Sequence, residues 1–254
     1  MLLAIDIGNS NVTLGVFDGD TLTTTARLAT DVAKTPDQYA VEMQQVLTLH
    51  GAQPSAVDAC ILSSVVPSVG SAIGRAVTLL CGITPLILGP GIKTGLNIRI
   101  DNPAQLGADL AAGAAGALTF CKLPCIIIDM GTATTLSVLD KNGCFVGGSI
   151  AAGVRLTLKA LAQGTAALPF LHPDAPKTVI GRNTVDCMQS GIVFGTAAML
   201  DGLIERMEDE LGEPASVVAT GGLAQDIVKH CKKDIVYREN LLLEGLRAIY
   251  EKNV

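Results

Sequence analysis

The apolar positions at the start of the chain fall into two short runs separated by a polar bend. Leu2 to Ile7 is an apolar run interrupted only by Asp6, and Val12 to Phe17 is a second one. The bend between them and the turn after them, residues 18–20, carry polar residues and glycine. Short apolar runs bounded by such residues are typical of strands. This stretch therefore predicts a β-hairpin.

The same plan recurs in the middle of the chain. An apolar run from Ile126 to Met130, which carries Asp129, is followed by a second run from Thr135 to Leu139. Residues 131–134 form the bend between the two runs, and residues 140–143 form the turn after them. This stretch predicts a second hairpin.

The two hairpins correspond residue by residue at their bends. Asp6 maps onto Asp129 and Gly8 maps onto Gly131, at an offset of 123 residues in a chain of 254. A repeat of about half the chain predicts two related α/β halves. We expect residues 1–115 and 116–254 to form them, facing each other across a cleft to which each half offers one hairpin.

Each repeated aspartate stands two residues before a glycine, which lets a ligand approach the backbone because glycine has no Cβ. Backbone N–H groups and the side chain of Asn9 or Thr132 can then bind an anion. A carboxylate repels a polyphosphate unless a cation lies between them, so the two hairpins predict cation-bridged nucleotide phosphates. A single such hairpin is more often an ordinary turn. The duplication favours a phosphate-binding site over two ordinary turns.

A third element supports a nucleotide site. Val217 to Thr220 is an apolar strand that enters Gly221-Gly222 and then a helix through Ile227 and Val228. Paired glycines allow the backbone to pack against a planar ligand, although this pattern is also common in ordinary packing. Because two candidate phosphate-binding hairpins precede it in the chain, this third element is a candidate for the adenosine side of the site.

Composition narrows the class of ligand. Hydrophobic residues make up 49% of the chain and charged residues 17%, which predicts a folded core. The net charge is −6 and aromatic residues are scarce, so the basic stripe and stacking platforms of nucleic-acid binders are missing. Small polar ligands are expected.

The sequence also bears on the compartment. The amino terminus lacks a signal-peptide pattern, and the longest apolar stretch, residues 104–120, contains Asp109. We therefore expect a cytoplasmic protein with no membrane span. The seven cysteines form no C-x-x-C pair, and we expect buried or idle thiols. The three histidines lie outside every motif and receive no role: His50, His172 and His230.

Residues 191–211 place apolar side chains at helical spacing, with the charges gathered late. This pattern predicts a helix whose apolar face packs in the core of the second half. The apolar positions are Val193, Ala197, Leu200, Ile204, Met207 and Leu211.

Together these motifs resemble the superfamily of acetate and sugar kinases, actin and the heat-shock ATPases. More specifically, the chain resembles the type III pantothenate kinase family along nearly its whole length. The matching segments are AIDIGNSNVTLGVF, ILSSVVPS, DNPAQLGADL, IIIDMGTATTLSVLD, GGSIAAG, VIGRNTVDCMQSGI, VVATGGLA and LLLEGLRAIY. The resemblance implies an α/β protein of two duplicated ribonuclease H-like domains in the actin-like ATPase fold. It also implies ATP-dependent phosphorylation of pantothenate, the first step of coenzyme A biosynthesis.

The resemblance assigns roles on the ATP side. The residues that match the family's first ATP-phosphate segment are Asp6, Ile7, Gly8, Asn9, Ser10, Asn11, Val12 and Thr13. Thr132 matches a second phosphate contact, and Asp129 matches the residue that binds a monovalent cation, potassium or ammonium. A divalent metal, magnesium, is implied beside the nucleotide.

On the acceptor side, Asp109 matches the family's proton acceptor. The matching pantothenate contacts are Gly107, Ala108, Asp109, Leu110 and Thr184. A carboxylate just before an alanine-rich run is also typical of a helix cap, and by itself that interpretation would be favoured. The resemblance further implies a homodimer.

Two departures fall on the acceptor side. Leu110 stands where the family usually has arginine, and Ile100 stands where it usually has tyrosine, so a guanidinium and a hydroxyl are missing. Ala152 replaces a common proline. Two alternatives therefore stay open. One is a nucleotide-binding regulatory paralogue with little or no activity, and the other is a kinase for another small hydroxyl compound.

Overall fold

Both predicted hairpins are present in the computed structural model, which describes residues 1–254. β1 (Leu2–Ile7) pairs antiparallel with β2 (Asn11–Asp18), and β7 (Cys125–Met130) pairs antiparallel with β8 (Ala133–Leu139). β1 has the predicted bounds, and the other three strands extend the predicted runs by one or two residues at their ends. Each hairpin supplies the central strand of its own sheet.

The chain divides into two units that do not follow its order. Unit 1 comprises residues 1–96, 101–119 and 240–254, and unit 2 comprises residues 97–100 and 120–239. The contiguous halves 1–115 and 116–254 expected from the repeat differ from these units. The difference arises because the C-terminal segment packs in unit 1 and the short strand β6 (Asn97–Ile98) joins the sheet of unit 2.

The sheet of unit 1 has the strand order β3-β2-β1-β4-β5. Its first three strands form an antiparallel meander, and β4 and β5 add in parallel on the other side of β1. The remaining strands and the helices of this unit are β3 (Thr21–Ala29), β4 (Ala59–Ser64), β5 (Leu86–Ile87), α1 (Pro36–Leu49), α2 (Pro67–Cys81), α3 (Ala108–Ala117) and α7 (Leu241–Glu251).

Alternate residues of β1 point into two different cores of unit 1. Leu3 and Ile5 pack with apolar residues of α1 and α2. Ala4 packs with Ala112 of α3 and Leu246 of α7, because successive side chains of a strand face opposite sides. The helix pair α3 and α7 packs closely, since a Cβ at Gly116 would lie 2.5 Å from the Leu241 carbonyl oxygen. Unit 1 is therefore a sheet covered by a helix pair on each face.

The sheet of unit 2 repeats this order. Its strands run β11-β10-β7-β8-β9, with β6 added in parallel beyond β9. Three antiparallel strands followed by two parallel ones is the topology of the expected ribonuclease H-like domain, and it occurs once in each unit. The bounds not yet given are β9 (Cys144–Ala152), β10 (Ser216–Thr220), β11 (Val236–Tyr237), α4 (Val154–Gly164), α5 (Thr184–Leu211) and α6 (Ala224–Val228).

Helix α5 forms most of the helical core of unit 2. It begins at Thr184, seven residues before the predicted start, because the Asn183 side chain caps it by accepting a hydrogen bond from the Asp186 N–H. The predicted apolar face is confirmed, with Val193, Ala197 and Leu200 buried against the sheet's apolar cluster. By length and hydropathy alone α5 could cross a membrane. Its buried face identifies it instead as a core helix.

Candidate functional site

Asp6 lies at the penultimate position of β1, half-buried, between two hydroxyl residues. It is in register with Thr13 of the antiparallel neighbour β2 and with Ser63 of the parallel neighbour β4. Side chains paired in this way stand on the same face of a sheet. Ser63 is fully buried and its hydroxyl makes no hydrogen bond. Unit 1 therefore places a carboxylate between two hydroxyls at the end of its central strand.

The bend after Asp6 is held by hydrogen bonds to its backbone. The Gly8 N–H donates to the Asn11 carbonyl at 2.9 Å, and the Thr30 N–H donates to the Ser10 carbonyl at 3.1 Å. The Thr30 hydroxyl also donates to the Gly8 carbonyl at 2.7 Å. The side chains of Asn9, Ser10 and Asn11 are exposed. A fixed and exposed polar bend of this kind can bind the oxygens of an anion.

Asp129 has the same environment in unit 2. It lies at the penultimate position of β7, in register with Thr135 of β8 and Thr220 of β10. The Thr220 hydroxyl donates to the Glu239 carbonyl at 3.2 Å. A Cβ at Gly131 would lie 3.9 Å from Asp129 Oδ1, so the carboxylate is close to the bend. The two side chains in register with it carry hydroxyl oxygens, which together with the carboxylate suit a hard cation.

The bend after Asp129 is shorter and is packed against backbone. The Gly131 N–H donates to the Ala133 carbonyl at 3.0 Å, and the Gly153 N–H donates to the Thr132 carbonyl at 3.1 Å. A Cβ at Gly153 would overlap the Thr132 carbonyl oxygen and would lie 2.5 Å from the Gly131 carbonyl oxygen. Helix α4 begins at the next residue, Val154. Thr132 is therefore next to a helix N-terminus, where an anion is stabilised.

Asp109 is the second residue of α3, not its cap. The N-cap is Gly107, which has no side chain to cap with, and Asp109 Oδ1 accepts from the Leu110 N–H at 2.8 Å. A Cβ at Gly107 would overlap Asp109 Oδ1. The interpretation of Asp109 as the helix cap is thus wrong about its position. It is correct in one respect, because the carboxylate does accept a hydrogen bond from an N–H of the first turn. Glycine at 107 is what allows this orientation, and Gly107, Ala108, Asp109 and Leu110 are all half-buried.

The remaining acceptor-side residues lie in unit 2. Thr184 is exposed at the first position of α5, directly after the cap Asn183. Ile100 is half-buried at the end of the short segment 97–100. Unit 1 therefore carries Asp6 to Thr13 and residues 107–110, and unit 2 carries Ile100, Asp129, Thr132 and Thr184.

The two glycines after β10 differ in their surroundings. Gly221 has φ +102°, a conformation that favours glycine, and a Cβ there would lie 2.6 Å from the Met130 carbonyl oxygen. Gly222 is exposed, and a Cβ there would meet nothing within 4 Å. The first glycine is thus required by packing against β7. Only Gly222 is open to a ligand. The role of this pair of glycines on the adenosine side of the site stays a prediction.

Sequence reasoning missed Ser63 entirely, and Thr220 was recognised only as part of a strand. Both become candidate site residues because a parallel neighbour places them beside a repeated aspartate. Their pairing joins strands that are far apart in the chain, so no local pattern reports it. The sole signal in the sequence is that β4 and β10 each carry a hydroxyl residue at or next to their last position, in ILSS and VVAT.

The protein alone offers no cluster of three or more His, Cys, Asp or Glu side chains that could hold a metal ion. A magnesium ion bound mainly by phosphate oxygens needs only one or two carboxylates from the protein, so the residues present fit it. His50 and His172 are exposed, and the His230 ring packs edge-on against Phe194 with centroids 5.2 Å apart.

The sequence relationships identify the family. A family model for type III pantothenate kinase matches residues 2–206. The chain is 41% identical over 253 residues to a type III pantothenate kinase of Exiguobacterium sp., covering 100% of this chain and 99% of that protein. The chain belongs to the type III pantothenate kinase family. It is also 42% identical to the Myxococcus xanthus type III pantothenate kinase over 253 residues, with 100% and 99% covered.

Structural comparison agrees on the fold of this type III pantothenate kinase family member. The crystal structure of Ta0583, an archaeal actin homolog, superposes with a TM-score of 0.54 at 14% identity, covering 99% of each chain. At that identity the likeness shows the fold alone. The expected fold class is confirmed as α/β, with duplicated ribonuclease H-like domains of the actin-like ATPase type.

Proposed function

We propose that this protein transfers the γ-phosphate of ATP to pantothenate, giving 4′-phosphopantothenate in the first step of coenzyme A biosynthesis. The observation that carries the proposal is the full-length relationship to type III pantothenate kinases at 41–42% identity. Both aspartate hairpins and the Gly107–Asp109 turn, which the chemistry needs, are present within it. A small-molecule kinase is favoured over a regulatory paralogue on the same grounds.

On the ATP side, residues 6–13 and Thr132 contact the phosphates. The exposed bend after Asp6 and the helix N-terminus beside Thr132 support this role, because both present polar backbone groups. The Asp6 carboxylate holds a magnesium ion together with the phosphate oxygens, and Asp129 holds potassium or ammonium. These cations neutralise charge on the phosphates when bound.

On the acceptor side, Asp109 accepts the proton of the pantothenate hydroxyl and orients that hydroxyl toward the γ-phosphate. Residues 107–110 and Thr184 contact the substrate. Phosphoryl transfer passes through a loose transition state, so alignment by the carboxylate matters more than its basicity. The Leu110 side chain offers no hydrogen bond, which predicts weak binding of pantothenate.

The protein is further proposed to act in the cytoplasm as a homodimer. Large apolar side chains of unit 2 support a covering partner, since Ile150 is 75% exposed, Phe170 68% and Ile180 81%. The seven free cysteines support the compartment, because stable disulfides are rare in the reducing cytoplasm.

The deciding experiment is an ATP-consumption assay on the purified protein with a panel of small hydroxyl acceptors, pantothenate first. The proposal expects consumption with pantothenate, product at the mass of 4′-phosphopantothenate, and loss of rate when potassium is replaced by tetramethylammonium. Efficient use of another acceptor with no use of pantothenate would identify a kinase of different specificity. ATP binding without turnover on any acceptor would identify the regulatory paralogue.

Asp109→Asn tests the proton acceptor. Asparagine has the same shape and still touches the first turn of α3, so the fold and ATP affinity should be unchanged while kcat falls by about a hundred-fold or more. Gly107→Ala is the matched variant, because its Cβ displaces the carboxylate without removing it. We expect it to lower kcat less than Asp109→Asn. A drop in melting temperature with unchanged kcat in Asp109→Asn would support a structural role instead.

Leu110→Arg tests the departure from the family. A charged hydrogen bond is worth roughly 1.5 to 3 kcal/mol, so the arginine should lower the KM for pantothenate by about ten- to a hundred-fold with little change in the KM for ATP. Ile100→Tyr combined with Leu110→Arg restores both missing groups and allows for repacking. An unchanged pantothenate KM in both variants would show that position 110 does not contact the acceptor.

A further inference from the structure

A buried tyrosine supports the bend after Asp6 from within the core of unit 1. Tyr39, near the start of α1, is fully buried among apolar side chains of α1, α2 and the sheet. Its hydroxyl donates a hydrogen bond to the Asp31 carbonyl and accepts one from the Asp31 N–H, each 2.9 Å long. One oxygen atom therefore holds both backbone groups of Asp31, which fixes this residue relative to α1.

Asp31 directly follows the residue that holds the bend. Thr30 donates from its N–H to the Ser10 carbonyl at 3.1 Å and from its hydroxyl to the Gly8 carbonyl at 2.7 Å. Thr30 and Asp31 share a planar peptide unit, so fixing the Asp31 N–H also limits the orientations that Thr30 can adopt. We call this path, from the Tyr39 hydroxyl through Asp31 and Thr30 to the bend, the Tyr39–Thr30 link.

The segment that contains the link has a second attachment to α1. Residues 30–35 connect β3 to α1. The Lys34 ammonium lies 2.8 Å from the Glu42 carboxylate and 5.5 Å from the centre of the Tyr39 ring. The Lys34 N–H also donates to the Asp31 carbonyl at 3.3 Å. The segment is therefore attached to α1 at Asp31 and again at Lys34.

The bend of unit 2 has a direct connection to a helix, which the bend of unit 1 lacks. In unit 2 the residue that corresponds to Thr30 is Gly153, whose N–H donates to the Thr132 carbonyl at 3.1 Å. Helix α4 begins at the next residue, Val154. In unit 1, α1 begins only at Pro36, six residues after Thr30. The Tyr39–Thr30 link thus supplies the connection to a helix that unit 2 makes through the chain itself.

We propose that Tyr39 is a positioning residue that sets the affinity of the bend after Asp6 for nucleotide phosphates. This inference rests on the proposed function, in which residues 6–13 contact the phosphates of ATP. Backbone N–H groups bind an anion better when their arrangement is preorganised. The Gly8 carbonyl, which the Thr30 hydroxyl fixes, shares its peptide plane with the Asn9 N–H, so the link also sets the direction of that N–H. Tyr39 acts from the core, through Asp31 and Thr30.

Tyr39→Phe tests the link, because it removes only the hydroxyl. We expect the Kd for ATP with magnesium, measured by calorimetric titration without an acceptor, to rise by about three- to ten-fold, as for the loss of one hydrogen bond. Deuterium uptake by the backbone of residues 8–11 should also rise, because the bend opens more often. Mass spectrometry of peptic peptides measures this uptake without nucleotide and without reference to any activity.

Ile73→Val is the matched control for a general loss of stability. Ile73 is fully buried in the same core as Tyr39, and the substitution removes a methyl group and no hydrogen bond. It should lower the Tm about as much as Tyr39→Phe does. The Kd for ATP and the deuterium uptake of residues 8–11 should stay at the values of the unaltered protein.

Two substitutions of Thr30 test the other end of the link. Thr30→Val removes the hydroxyl that bonds to the Gly8 carbonyl, and it should raise the Kd for ATP at least as much as Tyr39→Phe. Thr30→Ser keeps the hydroxyl and should raise the Kd less. The double variant of Thr30→Val with Tyr39→Phe should bind ATP about as weakly as Thr30→Val alone, because both changes break the same path.

The outcomes separate this inference from the proposed function. An unchanged Kd for ATP in Tyr39→Phe, with normal binding by the unaltered protein, overturns the inference alone. An equal rise in Kd in Ile73→Val also overturns it, because the effect would then follow from stability. Failure of the unaltered protein to bind ATP would overturn the proposed function, and the inference with it.

Discussion

The two repeated hairpins share their chemistry and differ in how their bends are held. Each carries an aspartate between a threonine on the antiparallel neighbour and a buried hydroxyl on the parallel neighbour. In each, the glycine N–H closes the bend, and the end of the third strand donates a hydrogen bond to it. The bend of unit 1 is fixed by the Thr30 side chain. In unit 2, Gly153 has no side chain that could donate such a bond, and its backbone packs against the Gly131 and Thr132 carbonyl oxygens.

This difference shows how a duplicated motif can diverge while it keeps an aspartate between two hydroxyl residues. The return strand pairs Val12 with Ile7 in unit 1 and Thr134 with Met130 in unit 2, so the second bend is one residue shorter. The residue after the third strand donates a backbone hydrogen bond of 3.1 Å to each bend, and in unit 2 that residue is a glycine whose Cβ would overlap the Thr132 carbonyl oxygen. The bend of unit 1 therefore has one side-chain hydrogen bond, from Thr30, in addition to its backbone bonds, whereas the bend of unit 2 has close backbone packing at Gly153.

The largest expected effect separates the roles of the two aspartates. Asp6→Asn should lower kcat by about a thousand-fold at every potassium concentration, because it weakens the magnesium and phosphate contacts. Asp129→Asn should lower kcat by about ten- to a hundred-fold and abolish the dependence on potassium. Steady-state rates across a potassium titration at constant ionic strength check both. Equal potassium dependence in the two variants would mean that the hairpins do not divide the cations between them.

The next effect concerns the backbone contact of unit 2. Gly153→Ala places a Cβ on the Thr132 carbonyl oxygen, so the bend must move, and we expect a loss of about 3 kcal/mol of stability. Gly8→Ala is the comparison at the bend of unit 1, where Thr30 stands in the position that corresponds to Gly153. Its Cβ would lie 3.4 Å from the Asn11 carbonyl oxygen, and the expected loss is below about 1 kcal/mol.

Thermal unfolding followed by circular dichroism, without nucleotide, compares these two variants. Equal shifts in Tm would contradict the tighter packing of backbone at Gly153 than at Gly8. Gly222→Ala serves as a background control, because it is exposed and its Cβ meets nothing within 4 Å.

The smallest effects concern the buried hydroxyls. Thr220→Val leaves the Glu239 carbonyl without its hydrogen bond and should cost about 1 to 3 kcal/mol. Ser63→Ala removes a buried hydroxyl that makes no hydrogen bond, so stability should be unchanged or rise by up to about 1 kcal/mol. If Ser63 acts with Asp6, the same variant raises the KM for ATP by a few-fold. Denaturant unfolding and ATP kinetics measure the two quantities, and destabilisation by Ser63→Ala would argue against an unpartnered hydroxyl.

Much of this arrangement was predictable because it is local. The hairpins, the strand before Gly221 and the apolar face of α5 all follow from residues close together in the chain. The pairing of Asp6 with Ser63 depends on parallel strands that only the folded sheet brings together. The orientation of Asp109 over Gly107 depends on a side-chain rotamer that the letters G-A-D do not report.

The position of α7 in unit 1 affects the order in which the two units can complete their folding during translation. α7 buries Leu241, Leu243 and Leu246 against α3 and the sheet that begins with β1. The ribosome completes the main segment of unit 2, residues 120–239, before it adds α7. Unit 2 can thus form its core while one face of the first sheet is still uncovered. Although N-terminal domains usually fold first, unit 1 can complete its fold only after the residues of unit 2 have been synthesised.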